Sequence, residues 1–130
     1  MIQVVNKTRL AVPRLPLEKI FKEVFNKRSI DVSVAFVGDA AMRTYNRTYR
    51  KKDTITNVLA FLLDEHMGEL IISPRRAMEE AKEEGVSLEN RLVRLLIHGL
   101  MHLSGYDHEQ DKDARVMERK EEAIFKKITL

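Results

Sequence analysis

Three of the chain's four histidines fall in eleven residues, "HGLMHLSGYDH", positions 98 to 108. His98 and His102 are four apart, which on a helix puts both side chains on one face, one turn above the other. Their imidazoles can then converge on a single ion. Gly105 suits the end of that helix, because glycine takes positive φ without a Cβ penalty. Past such a turn the chain can double back and bring His108 toward the pair.

The spacing H-x3-H-x5-H, with glycine at this place, matches the three-histidine pattern of the metzincin peptidases. Three neutral imidazoles leave a divalent ion its charge and one open position. A tetrahedral zinc, one ion per chain, would hold water there with its pKa lowered to about 7, which is a hydrolytic arrangement rather than a structural one. The peptidase pattern also needs a glutamate directly after the first histidine, and that place is Gly99. The general base of a metallopeptidase is therefore missing. A glycine inside a helix costs about 1 kcal/mol relative to alanine. Close approach of a neighbouring element, room for a substrate, or a tolerated small residue at a crossing would each account for it. His66, in "DEHMG", reads as an exposed loop residue outside this chemistry.

A second stretch concentrates positive charge. "RTYNRTYRKK" holds Arg43, Arg47, Arg50, Lys51 and Lys52 with no acid between them. The whole chain carries only +3, so the local run, more than the total, marks a candidate surface for a polyanion. Tyr45 and Tyr49 within it could stack on a base, although their helical spacing favours packing against the core.

The elements that position these groups follow from periodicity and end signals. Ile2–Val5 reads as a first strand, "IDVSVAFVG" as a second, "NVLAFLL" as a buried third and "ELIIS" as its return. "LPLEKIFKEVFNK" has a helical apolar face. Asp39 reads as the N-cap of a helix carrying Met42, Tyr45 and Tyr49. Ser73-Pro74 opens a helix that Gly85 closes. Ser87 caps "LENRLVRLLIHGLMHLSG", whose leucines give a broad buried face beneath the histidines. A last helix spans roughly Asp111 to Lys127, with Ala114, Met117, Ile124 and Phe125 inward. Strands and helices intermingle, with at least one hairpin, which is an α+β or mixed-sheet class.

Length and composition set the bounds. At 130 residues, 44% hydrophobic and 33% charged, the chain reads as one globular domain, 1–130, rather than a disordered one. It has no cysteine, which removes disulfides and thiolate ligands. Its longest apolar run, "VLAFLL", is too short for a bilayer, and its N-terminus lacks a signal-peptide core. The expectation is a soluble, cytoplasmic protein without membrane association.

"HGLMHLSGYDH" resembles the signature of the YbeY family, bacterial metal-dependent endoribonucleases of ribosomal RNA maturation, written H-G-x-L-H-L-x-G-Y-D-H. The single departure is Met101 for leucine, a volume-conserving change. "NRTYRKKDTITNVLAF" and "GELIIS" resemble two further blocks of that family in the same order, the former with Ala60 where serine is common. The resemblance implies a zincin-like α+β fold: a central four-stranded mixed sheet packed with helices, and a metal-binding H-x-x-x-H helix ending in a glycine turn. It implies zinc on His98, His102 and His108, and assigns the functional arginine to Arg50. Arg43, Arg47, Lys51 and Lys52 would bind flanking phosphates, and Asp107 could orient a ligand imidazole. The implied activity is single-strand-specific endoribonuclease action in 3′-end maturation of the small-subunit (16S) rRNA and in ribosome quality control. The implied partners are ribosomal RNA and the small subunit, with small-subunit proteins or an assembly GTPase, and not DNA. Two alternatives stand beside it: a metal hydrolase on another substrate, and a ribosome assembly or binding factor whose metal is structural.

Overall fold

The computed structural model describes residues 1–51, 56–105 and 111–129. Four strands, β1 (Ile2–Asn6), β2 (Asp31–Phe36), β3 (Val58–Asp64) and β4 (Met67–Ile72), form one sheet in the order β1-β2-β4-β3. β1 pairs with β2, and β2 with β4, in parallel; β3 and β4 form an antiparallel hairpin with an irregularity between Leu62 and Asp64. The sheet is therefore mixed. Five helices complete the described fold: α1 (Leu17–Phe25), α2 (Asp39–Arg50), α3 (Pro74–Glu84), α4 (Leu88–Leu103) and α5 (Asp111–Thr129).

Strand alternation divides the core into two layers. Val32, Val34, Phe36, Leu70 and Ile72 point to the face covered by α1, α4 and α5. Ala35, Val37, Leu59 and Ile71 point to the other face, where Met42 and Tyr45 of α2 meet them. The pattern along β2 records this. Asp31 and Ser33 are exposed on the α2 side, whereas Ala35 and Val37 further along are buried beneath that helix. A half-buried strand thus becomes fully buried where a helix covers its second face.

α4 is the central helix. Ser87 caps it, its hydroxyl accepting the Asn90 N–H at 3.0 Å. Nine of its sixteen residues are buried, and each large apolar side chain among them contributes about 1.5–3 kcal/mol of burial energy. Of the three accounts of Gly99 left open by the sequence, the structure shows close approach. A Cβ there would lie 2.5 Å from Leu70 Cδ2 on β4. Gly105 has φ of 110°, so the chain leaves α4 through a conformation that disfavours a side chain.

Two local readings are corrected. Gly38, not Asp39, occupies the N-cap of α2. Asp39 lies in the first turn, where its carboxylate accepts a hydrogen bond from Arg75 Nε of α3, a partner that sequence spacing does not reveal. Tyr49 is 55% exposed rather than packed in the core; its ring lies against Phe61 on the edge strand β3. Ser73 and Gly85 close α3 as anticipated, with Ser73 Oγ accepting from Arg76 N–H and Gly85 at φ of 70°.

Candidate metal centre

Buried on nearly every side, α4 keeps one polar stripe: Arg91, Arg94, His98 and His102, all of intermediate exposure. The intervals of three and four residues place them along one line of the helix surface. The stripe borders a cleft of about 320 Å³ whose walls include Asn57 of the β3 approach and Glu121 of α5. A larger apolar groove of about 730 Å³ between β1 and residues 12–19 contains none of the candidate residues.

Within the stripe the two imidazoles converge. His98 Nε2 and His102 Nε2 are 3.2 Å apart, with ring planes at 79°. A tetrahedral ion with metal–nitrogen bonds of about 2.0–2.1 Å sets neighbouring ligand atoms about 3.3 Å apart. The pair fits that edge. Behind it, His98 Nδ1 lies 2.8 Å from Glu121 Oε1. A carboxylate only accepts hydrogen bonds, so Nδ1 carries the proton and donates it, leaving the Nε2 lone pair directed at His102. Among the described residues no third histidine or carboxylate joins the two Nε2 atoms as a ligand set. His108 and Asp107 lie outside the described residues, as does Lys52.

Neighbouring charges brace the stripe. Arg94 Nη1 donates to Glu122 Oε2 at 2.9 Å while its guanidinium sits 3.8 Å over the Phe125 ring. That hydrogen bond and the positive charge hold the Glu122 carboxyl below its ordinary value of 4.5. Arg91 Nε donates to Glu80 Oε1 at 3.2 Å, and Asn57 Nδ2 reaches the same carboxylate at 3.1 Å. Consecutive residues of α5, Glu121 and Glu122, therefore grip α4 one turn apart.

The basic candidates lie elsewhere. Arg43, Arg47 and Arg50 are exposed on α2, on the opposite face of the sheet from α4, and exposed Lys51 ends that helix with φ of 56°. No polar contact joins Arg50 to His98 or His102. Among the described residues the two helical histidines come together, while Lys52 of the basic run and His108 lie outside them. Near that run, the Tyr49 ring stacks on Phe61 at a centroid distance of 4.6 Å. His66 is exposed in the β3–β4 turn, with Nδ1 3.1 Å from the Ser29 carbonyl oxygen, in keeping with its loop reading.

Glu121, Arg91 and Arg94 were missed by sequence reasoning. Glu121 had a signal, since Met117, Glu121 and Phe125 are spaced by four and the two hydrophobes are buried. An acid interrupting an inward face calls for a partner on the element beneath.

Comparison with known proteins fits this arrangement. The family profile for Endoribonuclease YbeY matches residues 3–129. The chain belongs to the endoribonuclease YbeY family. It is 38% identical over 120 residues to the endoribonuclease YbeY of Neorickettsia sennetsu, covering 88% of this chain and 84% of that one. With the endoribonuclease YbeY of Geobacter metallireducens it shares 43% identity over 106 residues, covering 73% of this chain and 71% of the other. The solution structure of TM1509 from Thermotoga maritima superimposes with a TM-score of 0.70 at 28% identity, over 98% of this chain and 89% of that one. Among the described residues no helix is long and apolar enough to cross a membrane.

Proposed function

We propose that this member of the YbeY family is a zinc-dependent endoribonuclease, a single zincin-like hydrolase domain acting in the cytoplasm on single-stranded ribosomal RNA. Its role would be 3′-end maturation of the small-subunit rRNA and ribosome quality control. The observation that carries the reading is the 3.2 Å approach of His98 Nε2 to His102 Nε2, with the former's Nδ1 committed to Glu121. His98 and His102 would hold the ion with His108. When bound, zinc supplies a Lewis acid for a phosphate oxygen and a low-pKa water.

The remaining work falls to the chain. Cleaving a phosphodiester builds negative charge on the non-bridging oxygens, and the planar guanidinium of Arg50 donates two parallel hydrogen bonds to such oxygens. Arg43, Arg47, Lys51 and Lys52 would hold flanking phosphates, and so select the register of the strand. The exposed Tyr49 ring offers a sequence-tolerant surface for an unstacked base. The small ribosomal subunit, its proteins or an assembly GTPase would bring substrate and enzyme together.

The deciding experiment uses the zinc-loaded full chain and an end-labelled RNA spanning the 3′ end of the small-subunit rRNA. The reading expects cleavage of the single strand, with little on the annealed duplex or on the DNA of the same sequence. Product ends separate the chemical routes: a 2′,3′-cyclic phosphate marks attack by the RNA's own 2′-hydroxyl. Zinc binding without cleavage would instead favour an assembly factor with a structural metal. Equal cleavage by His102→Ala would mark a contaminating nuclease and sink the enzymatic reading.

A further inference from the structure

The contact between His98 and Glu121 is built with more care than helix docking requires. Glu121 comes 23 residues after His98, on a different helix, with its side chain 22% exposed and that of His98 34% exposed. A carboxylate withdrawn from water on the inward face of α5 is costly unless it is hydrogen-bonded. Its bond goes to the one ring nitrogen that does not face His102. The next residue, Glu122, serves Arg94 instead, so docking of α5 on α4 has its own ion pair beside this contact.

We propose that Glu121 is the positioning residue of the metal centre. Its carboxylate holds His98 in the Nδ1–H form, fixes the ring, and makes Nε2 a stronger donor toward an ion shared with His102. This inference rests on the metal reading above. The physical argument concerns tautomers. A free neutral imidazole in water favours the Nε2–H form, which has no lone pair at Nε2 to offer. An acceptor at Nδ1 reverses that preference, and a charged acceptor does so more strongly than a neutral one. Orientation follows as well, because the 2.8 Å bond on one side of the ring fixes where the other nitrogen points.

The test reads binding and tautomer rather than turnover. Zinc affinity is measured by competition with a chelating dye for wild type, Glu121→Gln, Glu121→Ala and, as a control, Glu122→Gln. Loss of an orienting partner typically weakens metal binding about 10–100-fold, with glutamine expected near the lower end and alanine near the upper. Glu122→Gln should bind as wild type does, although it breaks the neighbouring link between the same helices. In parallel, long-range proton–nitrogen correlation spectra of the metal-free proteins report the His98 tautomer. Nδ1–H is expected in wild type and Nε2–H in Glu121→Ala. Wild-type affinity in both Glu121 variants would overturn the inference while leaving the metal reading intact, and so would equal loss in Glu122→Gln. A wild type that binds no zinc would sink both, and a wild-type His98 in the Nε2–H form would sink this one alone.

Discussion

His98 Nε2 faces His102 Nε2 across 3.2 Å, with one ring nearly perpendicular to the other. An imidazole lone pair lies in the plane of its ring, so two parallel stacked rings would direct theirs side by side, whereas here the two Nε2 atoms face each other across the edge that a shared ion would span. Both residues belong to a polar stripe along a helix nine of whose sixteen residues are buried. The scaffold around the pair is therefore stiff, and removing one ring should affect the ion far more than the fold.

His102→Ala tests that separation. At a free zinc concentration of 100 times the dissociation constant, binding adds about 2.7 kcal/mol to wild-type stability. Urea unfolding with and without zinc should show this gain in wild type and little of it in the variant. Without zinc the two proteins should differ by about 1 kcal/mol or less, since the side chain is only half-buried. A full zinc response in His102→Ala would remove the residue from the ligand set.

Arg50→Ala should split binding from chemistry in the opposite sense. Arg50 is not among the proposed zinc ligands, so zinc affinity should be unchanged. Removing a charged donor aimed at a transition-state oxyanion costs about 10²–10³ in kcat. Single-turnover cleavage of labelled RNA measures this. Undiminished cleavage would strip Arg50 of its role.

Much of the fold was legible because its signals are local. Ser73, Gly85 and Ser87 announced their helix ends, and the alternation of Val32, Val34 and Phe36 announced a strand with one face in the core. The histidine pair was legible for the same reason, since four residues is one helical turn. Asp39 and Glu121 were not, because their partners, Arg75 and His98, come from other helices and the contacts exist only once α2 meets α3 and α4 meets α5. Tyr49 misled for a related reason: helical spacing says which side a residue faces, but not that the partner there would be Phe61 on an edge strand, which leaves the ring open to solvent. The placement of α2 and α4 on opposite faces also escaped the sequence, because it depends on β4 inserting between β2 and β3.

Gly99→Ala tests the close approach of α4 to the sheet. Alanine is the better helix residue by about 1 kcal/mol. Its Cβ, however, would sit 2.5 Å from Leu70 Cδ2, and Leu70 is fully buried, with no solvent-side rotamer to escape into. Overpacking of this kind costs about 1–3 kcal/mol, so a net loss is expected. Leu70→Val removes the offending methyl region. The double variant should recover part of the loss, so that the two changes are non-additive in denaturant titrations. Simple additivity would mean that the helix shifts freely.

The Arg94–Glu122 pair predicts a defined pH dependence. The folded-state carboxyl of Glu122 lies below its ordinary value of 4.5 because Arg94 hydrogen-bonds and attracts the ionised form. Folding is then favoured above pH 4.5, and the contribution is lost as pH falls through the lower folded value. The Glu122 side chain is 47% exposed, so solvent screening keeps the effect at about 1 kcal/mol or below. The stability difference between wild type and Glu122→Gln should therefore be present at pH 7, shrink toward zero in acid, and shrink at pH 7 when salt is added. A difference that persists in acid would mean that packing over Phe125, not charge, holds this corner.

The basic run makes the most direct physical prediction about RNA. Each phosphate neutralised on a single strand contributes about −0.7 to the slope of log affinity against log salt. If Arg43, Arg47, Arg50, Lys51 and Lys52 all engage phosphates, the slope should approach about −3.5. Replacing Arg43 and Arg47 together should flatten it by about 1.4, because each takes one counterion-release event with it. Filter-binding or anisotropy titrations on a cleavage-deficient His102→Ala background measure this without turnover. The exposed aromatic ring of Tyr49 adds an internal control, since stacking is not driven by counterion release. Tyr49→Ala should weaken binding by about 1–3 kcal/mol at every salt concentration and leave the slope alone. A slope that changes with Tyr49 but not with the arginines would move the RNA surface away from this helix.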